Sequence, residues 1–582
     1  MNEKETSKIS EINKYFKLPI YYNSNKIQLK QNIIDDLELV STVDPSCNSI
    51  YSYYFNNDND VSKKLIEQMS KYYTNDTNFL KDSQILLKQY KKLDNKYSNF
   101  SPNYAKIIEI WDGLKVQSGF KEKYYYLDWE ILEFLNKSEY FLQVMSIYNL
   151  FSPVFSLLVP IIILIIPFFI IKTKGIHLTI EEYINVLKLV AKTNAIGKLF
   201  TVNFSHITTQ ERIYICISAA FYLFSIYQNI MICIRFHKNM ETIHNQFQEI
   251  KIYLKHSLDS MNNYYQYSKH LDSQREFNMN LLEKIKVLNE IKSKLDSISD
   301  YNLYNYKKFK EIGFIFKYFY ELHTDKVYED AIMYSLGFHG YIDSIEGLQN
   351  NIEERKIHFA SFTKESNKNI FKNSYYACLK NNNPIKNTIK LKKNIIITGP
   401  NASGKTTILK STLINILFTQ QFGCGFYSSA KLNPFNHIHC YLNIPDTSGR
   451  DSLFQAEARR CKEILDIVDS NKKENHFCVF DELYSGTNPE EAEISATAFM
   501  SYLIKYKHVS CILTTHFINV CKNLQKYENI ENSYMVTNKS NNMLKYTYKI
   551  KPGISEVKGG INILSQMNYP KEIIDDTIQN QK

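Results

Sequence analysis

Gly399-Pro400-Asn401-Ala402-Ser403-Gly404-Lys405-Thr406-Thr407 follows directly on the apolar run Asn394-Ile395-Ile396-Ile397-Thr398. An aliphatic strand, a glycine-bounded turn and then a lysine with two hydroxyls is the order a phosphate-binding loop requires. The glycines let backbone N–H groups turn inward around an anion, and Lys405 is long enough to reach the β and γ oxygens of a triphosphate. Thr406 offers a hydroxyl to Mg²⁺, and the helix opening near Lys405 points its positive end at the same anion. Ile408, Leu409, Leu413, Ile414, Ile416 and Leu417 give that helix an apolar body. Strand, loop and helix together predict an α/β P-loop domain that holds ATP and Mg²⁺ through residues 399 to 407.

Two more strands end in chemistry. Phe477-Cys478-Val479-Phe480-Asp481-Glu482 is a buried-type strand closed by two acids, roughly 75 residues after the loop. Asp481 is placed to hold the Mg²⁺ shell and Glu482 to orient and polarise the attacking water, because phosphoryl transfer needs positioning and charge stabilisation above all. Cys511-Ile512-Leu513-Thr514-Thr515-His516 ends in a histidine beside hydroxyls, where it can hydrogen-bond the γ-phosphate or the lytic water. Lys405, Glu482 and His516 are therefore the catalytic candidates, and Thr406 and Asp481 the metal candidates. Between the strands, Asp446-Thr447-Ser448-Gly449-Arg450-Asp451-Ser452-Leu453-Phe454-Gln455-Ala456-Glu457 puts Ser452 near a helix N-terminus, where hydroxyl and amides can meet a phosphate. Taken alone, an ordinary capped helix is the simpler reading of that segment.

In this order the motifs resemble the MutS family of ATPases, over residues 375 to 582. The loop, the Ser-x-Phe-x-x-Glu segment, the Asp-Glu strand followed by Ser485-Gly486-Thr487, and Thr-Thr-His all occur. So does a tail, Tyr548-Lys549-Ile550-Lys551-Pro552-Gly553 with Gly560-Ile561 and then Tyr569-Pro570-Lys571-Glu572-Ile573-Ile574. The resemblance extends to Ile34-Asp35-Asp36-Leu37-Glu38-Leu39, which looks like the start of the family's lever region, and to Asn387, which matches an asparagine in the strand leading to the nucleotide. It implies a homodimer in which Ser452 of one subunit completes the site holding the partner's ATP, and lever helices moved by that ATP. It also implies DNA binding and mismatch repair. Departures touch both base and DNA recognition: the position of the family's adenine-stacking aromatic falls near Pro384. There is no room for mismatch-reading and connector domains, and Phe120-Lys121-Glu122 sits in a charged helical region as an accidental match to the mismatch-inserting triplet.

The remaining 374 residues read as mainly helical. Leu65, Met69, Tyr72 and Tyr73 lie at helical spacing, and Phe277, Leu281, Leu288, Ile291, Leu295 and Ile298 form a seam of alternating steps. Packing against a neighbouring helix of the same chain explains the seam more simply than a two-chain coiled coil. Leu150 to Ile171 carries no charge, and its 22 residues would make a helix of about 33 Å against a hydrocarbon core of about 30 Å. Ile213 to Ile234 is a second uncharged run, diluted by Ser218, Ser225, Gln228 and Asn229 and bracketed by Arg212 and Arg235. Together they predict a transmembrane hairpin, with buried soluble helices as the alternative.

The ATP site then puts both chain ends on the cytosolic side. The segment between the spans holds six Lys or Arg against three Glu, so positive-inside bias lends that orientation no support. The expected fold class is α plus α/β. A helical N-terminal lever part spans 1–145, the hairpin 146–240, a helical lever core 241–374 and the ATPase domain 375–582. The formal charge of +10 suits an anionic partner, DNA or lipid headgroup, without choosing between them. Ten cysteines without a CxxC pair read as reduced thiols, and the polar first thirty residues lack a secretory leader's apolar core. The leading expectation is a membrane-anchored MutS-like ATPase; the alternative is a soluble or peripheral factor that recognises duplex or branched DNA. An ABC transporter ATPase fits less well, because a Leu-Ser-Gly-Gly-Gln signature is missing and two spans are too few.

Overall fold

The structure is a computed structural model. It describes residues 11–56, 60–91, 103–116, 118–175, 179–193, 208–299, 308–365, 368–442, 444, 452–540, 543–557, 559, 564–565, 567 and 569–580. The chain divides into two compact units, one made of Met1–Asp94, Asp259–Ile285 and Ile332–Lys582, the other of Asn95–Leu258 and Lys286–Ala331.

The first unit begins with a small antiparallel ribbon, β1 (Lys26–Gln28) against β2 (Tyr72–Thr74). Tyr72 and Tyr73 thus leave the helical patch expected of them. The helix Asp60–Met69 keeps Leu65 and Met69 buried but ends there, and Tyr72-Tyr73-Thr74 are β-prone residues that find a partner strand 44 or more positions upstream. The remaining strands are β3 (His358–Phe362), β4 (Ile370–Ser374), β5 (Asn387–Lys390), β6 (Asn394–Thr398), β7 (Cys424–Gly425), β8 (Ser429–Leu432), β9 (His437–Tyr441), β10 (His476–Asp481), β11 (Val509–Thr514), β12 (Ile530–Ser540) and β13 (Met543–Pro552). They form a six-stranded sheet, β13-β12-β6-β11-β10-β9, and a five-stranded one, β5-β4-β8-β3-β7. The second sheet thus starts at His358, upstream of residue 375.

In the larger sheet β9, β10, β11, β6 and β12 run parallel and only β13 is antiparallel. Parallel strands are covered on both faces, so they need continuous apolar runs rather than alternation. Ile395, Ile396 and Ile397 of β6 and Phe477, Cys478, Val479 and Phe480 of β10 are accordingly all buried. One face packs on Val468, Ala496, Met500 and Leu503 from the helices Leu453–Ser470 and Pro489–Leu503. The helix Lys405–Phe422 is apolar on most sides because it is buried along nearly its whole length. Its N-terminal end sits where β6 stops, between β11 and β12, and that placement makes the site.

The seam helix, Arg275–Asp296, buries Phe277, Leu281, Leu288, Ile291 and Leu295 as its spacing predicts. Phe277 meets Phe16, Tyr22, Tyr264 and Tyr341 of its own chain. Packing within one chain therefore accounts for its start. The second unit is helical. Its core gathers Phe120, Tyr126, Phe236, Phe247, Phe316 and Phe319. Gly313 lets the helix Lys308–Thr324 approach the start of the helix Glu139–Thr173, and its N–H donates to Gln143 Oε1 at 2.8 Å. The two apolar runs lie on the helices Glu139–Thr173 (35 residues) and Thr209–Ser268 (60 residues).

Candidate nucleotide-binding site

Where β6 ends, the chain turns sharply through residues 399 to 404. Gly399 and Gly404 have φ of +152° and +95°, values at which a side chain would be strained. A Cβ on either would also press on Met535 or Tyr548. Ala402 adopts φ +62°. Pro400, Asn401 and Ala402 form the crest, and Ser403 and Lys405 are turned inward and buried. Among the described residues Ser403 Oγ has no hydrogen-bond partner, which suits a cradle for an anion. Lys405 Nζ donates to Gly399 O at 3.0 Å and lies 3.4 Å from Pro400 O and His516 Nε2. Burial pushes its pKa down, opposed by the carboxylates of Glu482 and Asp481.

Parallel pairing carries the other groups to the same edge. Asp481 and Thr514 are register partners at the ends of β10 and β11, and Thr514 donates its hydroxyl to Asp481 Oδ1. Thr406, in the first turn of the loop helix, donates to Asp481 Oδ2 at 2.9 Å. Hydroxyl and carboxylate oxygens this close are the hard donor set Mg²⁺ prefers, completed by water and phosphate oxygens. The residues fit both groups: the cradle would hold ATP, and Thr406 and Asp481 would hold Mg²⁺.

Glu482 lies one residue past the strand at φ +52°, and its Oε1 is 2.6 Å from His516 Nε2 and 4.0 Å from Lys405 Nζ. The His516 hydrogen bond, with help from His516 and Lys405 charge, holds its carboxyl below the usual range against the pull of burial. A carboxylate so stabilised is a weak proton acceptor, better suited to orienting water than to capturing a proton outright. His516, expected to bond the γ-phosphate or the lytic water, is placed beside both Glu482 and Lys405.

Asn387 uses both ends of its amide on β13, donating to Tyr548 O at 2.9 Å and accepting from Ile550 N–H at 3.1 Å. It therefore organises a cavity of about 330 Å³ beside the loop, lined by Tyr375, Tyr376, Ile385, Gly404, Thr407 and Tyr548 among others. Pro384 is absent from that lining. Tyr548, which sequence reading passed over as part of a tail, is part of it. Ser452 caps its own helix: its hydroxyl accepts from Gln455 N–H while Gln455 Oε1 accepts from Ser452 N–H. The simpler reading of that segment describes it as it stands. Residues 446–451, Gly560 and Ile561 lie outside the described residues. Phe120 of the Phe120-Lys121-Glu122 triplet is stacked on His323 at 3.8 Å inside the second unit's core.

Residues 395–582 match the family model for MutS domain V. That stretch is similar to MutS domain V. Relatives include the MutS protein homolog 4 of Homo sapiens, 31% identical over 190 residues, which cover 31% of this chain and 20% of that protein. The DNA mismatch repair protein MutS of Staphylococcus epidermidis is 27% identical over 182 residues, 31% of this chain and 20% of its own. The DNA mismatch repair protein Msh3 of Dictyostelium discoideum is 26% identical over 212 residues, 34% and 14%. The chain thus matches a fifth or less of the length of these relatives, and the likeness is confined to about a third of its own. The loop at 399–407, the acids at 481–482 and His516 all fall inside the matched stretch.

Proposed function

We propose that this chain is a MutS-like ATPase that binds and hydrolyses ATP as a homodimer and couples this to helices anchored in a membrane, with its ATPase unit on the cytosolic side. The observation carrying the ATPase reading is the meeting of Lys405, Thr406, Asp481, Glu482 and His516 at one sheet edge. ATP with Mg²⁺ supplies the γ-phosphoryl electrophile when bound. Lys405 and the loop's N–H groups neutralise phosphate charge, while Thr406 and Asp481 fix the metal's position. Glu482, oriented by His516, holds the attacking water in line. The family likeness supports dimerisation, in which Ser452, at the N-terminus of its helix, would face the partner's nucleotide.

Membrane anchoring rests on the apolar helices. Two described helices are long and apolar enough to cross a bilayer by length and composition, and their apolar windows are only 22% and 6% buried. Phe155, Leu157, Ile165, Phe169, Phe221 and Phe224 are exposed, which does not suit core helices of a water-soluble protein. Leu150 O accepts from Cys233 Sγ and Ser156 O from Tyr222 Oη, the order of an antiparallel hairpin.

A second reading is favoured by what the relatives are called: a DNA mismatch repair factor using basic surfaces on phosphates. Carbonate extraction, ATPase assays with Lys405→Ala and Glu482→Gln, and light scattering with Mg-ATP test the first. Duplex or branched DNA binding with a steep salt slope, in a carbonate-extractable protein, would replace it with the second.

A further inference from the structure

The loop after Glu482 is held in an unfavourable backbone conformation. Glu482 and Tyr484 both take left-handed φ, +52° and +60°, which persists in non-glycine residues only where surroundings over-determine it. Three restraints are visible: Glu482 N–H donates to Thr514 O at 3.0 Å, Tyr484 N–H to Tyr441 Oη at 3.2 Å, and the following turn is gripped by Glu457. Glu457 is 2% exposed. One of its oxygens accepts from Ser485 Oγ at 2.9 Å and the other from Gly486 N–H at 3.1 Å. A buried carboxylate is costly unless its oxygens are hydrogen-bonded, and bonds to an ionised acceptor are the stronger kind.

Glu457 lies on the helix that Ser452 caps. The first turn of that helix presses on the same loop. A Cβ at Gly486 would come within 2.7 Å of Leu453 Cγ and 2.9 Å of Phe454 N, and the Phe454 ring lies 5.6 Å from that of Tyr484. No slack remains between the helix N-terminus and the loop.

We propose that Glu457 is a positioning residue for hydrolysis, tying the loop that carries Glu482 to the helix that carries Ser452, so that displacement at Ser452 reaches the catalytic carboxylate of the same chain. Glu457 does not touch the phosphate cradle; it acts through Glu482. The proposal rests on the ATPase reading above.

The test uses the full chain with Mg-ATP. Single-turnover hydrolysis and fluorescent-nucleotide binding are measured for Glu457→Ala, Glu457→Gln and Ser485→Ala, each alone and with Glu482→Gln. Glu457→Ala is expected to lower the hydrolysis rate at least tenfold with nucleotide Kd changed less than twofold. Glu457→Gln, which keeps one acceptor oxygen, recovers most of the rate. In the Glu482→Gln background the residual rate is indifferent to residue 457. An equal loss in that background, or an unaltered rate in Glu457→Ala, overturns the proposal. If Glu457→Ala fails to fold, Ser485→Ala decides on the same criteria. Absence of hydrolysis in the unsubstituted chain would overturn the ATPase reading itself, and this proposal with it.

Discussion

Lys405 shows how much of the site a single side chain carries. Buried and bonded to the Gly399 carbonyl, it closes the cradle and would meet a phosphate as the nearest fixed cation. Lys405→Ala should abolish ATP binding by titration, whereas Glu482→Gln should bind normally and trap ATP unhydrolysed; normal turnover in the second variant would remove Glu482 from the mechanism. A pH profile separates Glu482 from His516. The Glu482 carboxyl is depressed chiefly by its His516 bond, so the folded protein binds fewer protons there than the unfolded chain in the acid range. Its contribution to stability is present above the ordinary glutamate value and is lost as pH falls through the depressed one. His516→Ala should therefore move the acid limb of hydrolysis to higher pH, and an unmoved limb would show that His516 does not govern that carboxylate. Residues 399–407, 481, 482 and 516 were legible because each motif is contiguous and closes a strand. Tyr548, Thr514 and Glu457 were not, because only sheet pairing and helix packing bring them to the edge, and nothing local in Tyr546-Thr547-Tyr548 marks a cavity wall.

At the scale of elements, the short helix Gln31–Asp36 leans on the edge strand β9, where Cys440 Sγ is 3.6 Å from Asp36 Oδ2. Burial pushes the Asp36 carboxyl up to about 6, with the Cys440 bond, Arg460 and Lys410 opposing. Between about pH 4 and 6 the folded state holds a proton that the unfolded chain has released, so stability falls as pH rises through that window. Asp36→Asn should stabilise the protein at pH 7 by roughly 1–2 kcal/mol, allowing for partial solvent screening, and change nothing at pH 4. Denaturant midpoints at the two pH values check this; equal shifts at both would locate the effect in packing instead. The same scale explains what sequence patterns delivered. Continuous aliphatic runs announced β6, β10 and β11, since a parallel strand covered on both faces needs them. Tyr72 and Tyr73 misled because four residues cannot establish a period, and their strand exists only through β1. β3 and β4 precede residue 375, where the ATPase domain was expected to begin, their short half-exposed patterns giving no periodic signal.

For the molecule as a whole, the question is what the apolar helices touch. Burial within this chain does not cover side chains such as Phe169 and Phe221, 60% and 70% exposed, and water is a poor solvent for a surface of that kind. On the proposed reading a bilayer would supply the missing apolar phase, and two antiparallel helices would satisfy their own backbone groups within it. The stretch from Leu150 to Ile171 carries that expectation because it is free of charge. An aspartate at the centre of a spanning helix costs about 2.5–3.5 kcal/mol of insertion. Replacing Ile162 and Ile165 together by Asp should shift the protein from the carbonate-resistant pellet to the supernatant. Nucleotide binding should survive, because Lys405 and its cradle belong to the other compact unit. Were the unsubstituted chain already extracted by carbonate, the hairpin would have to be abandoned and the DNA-binding reading taken up. Were the double variant retained in the pellet with ATP binding intact, the helix Thr209–Ser268 would be the anchor and Glu139–Thr173 would not.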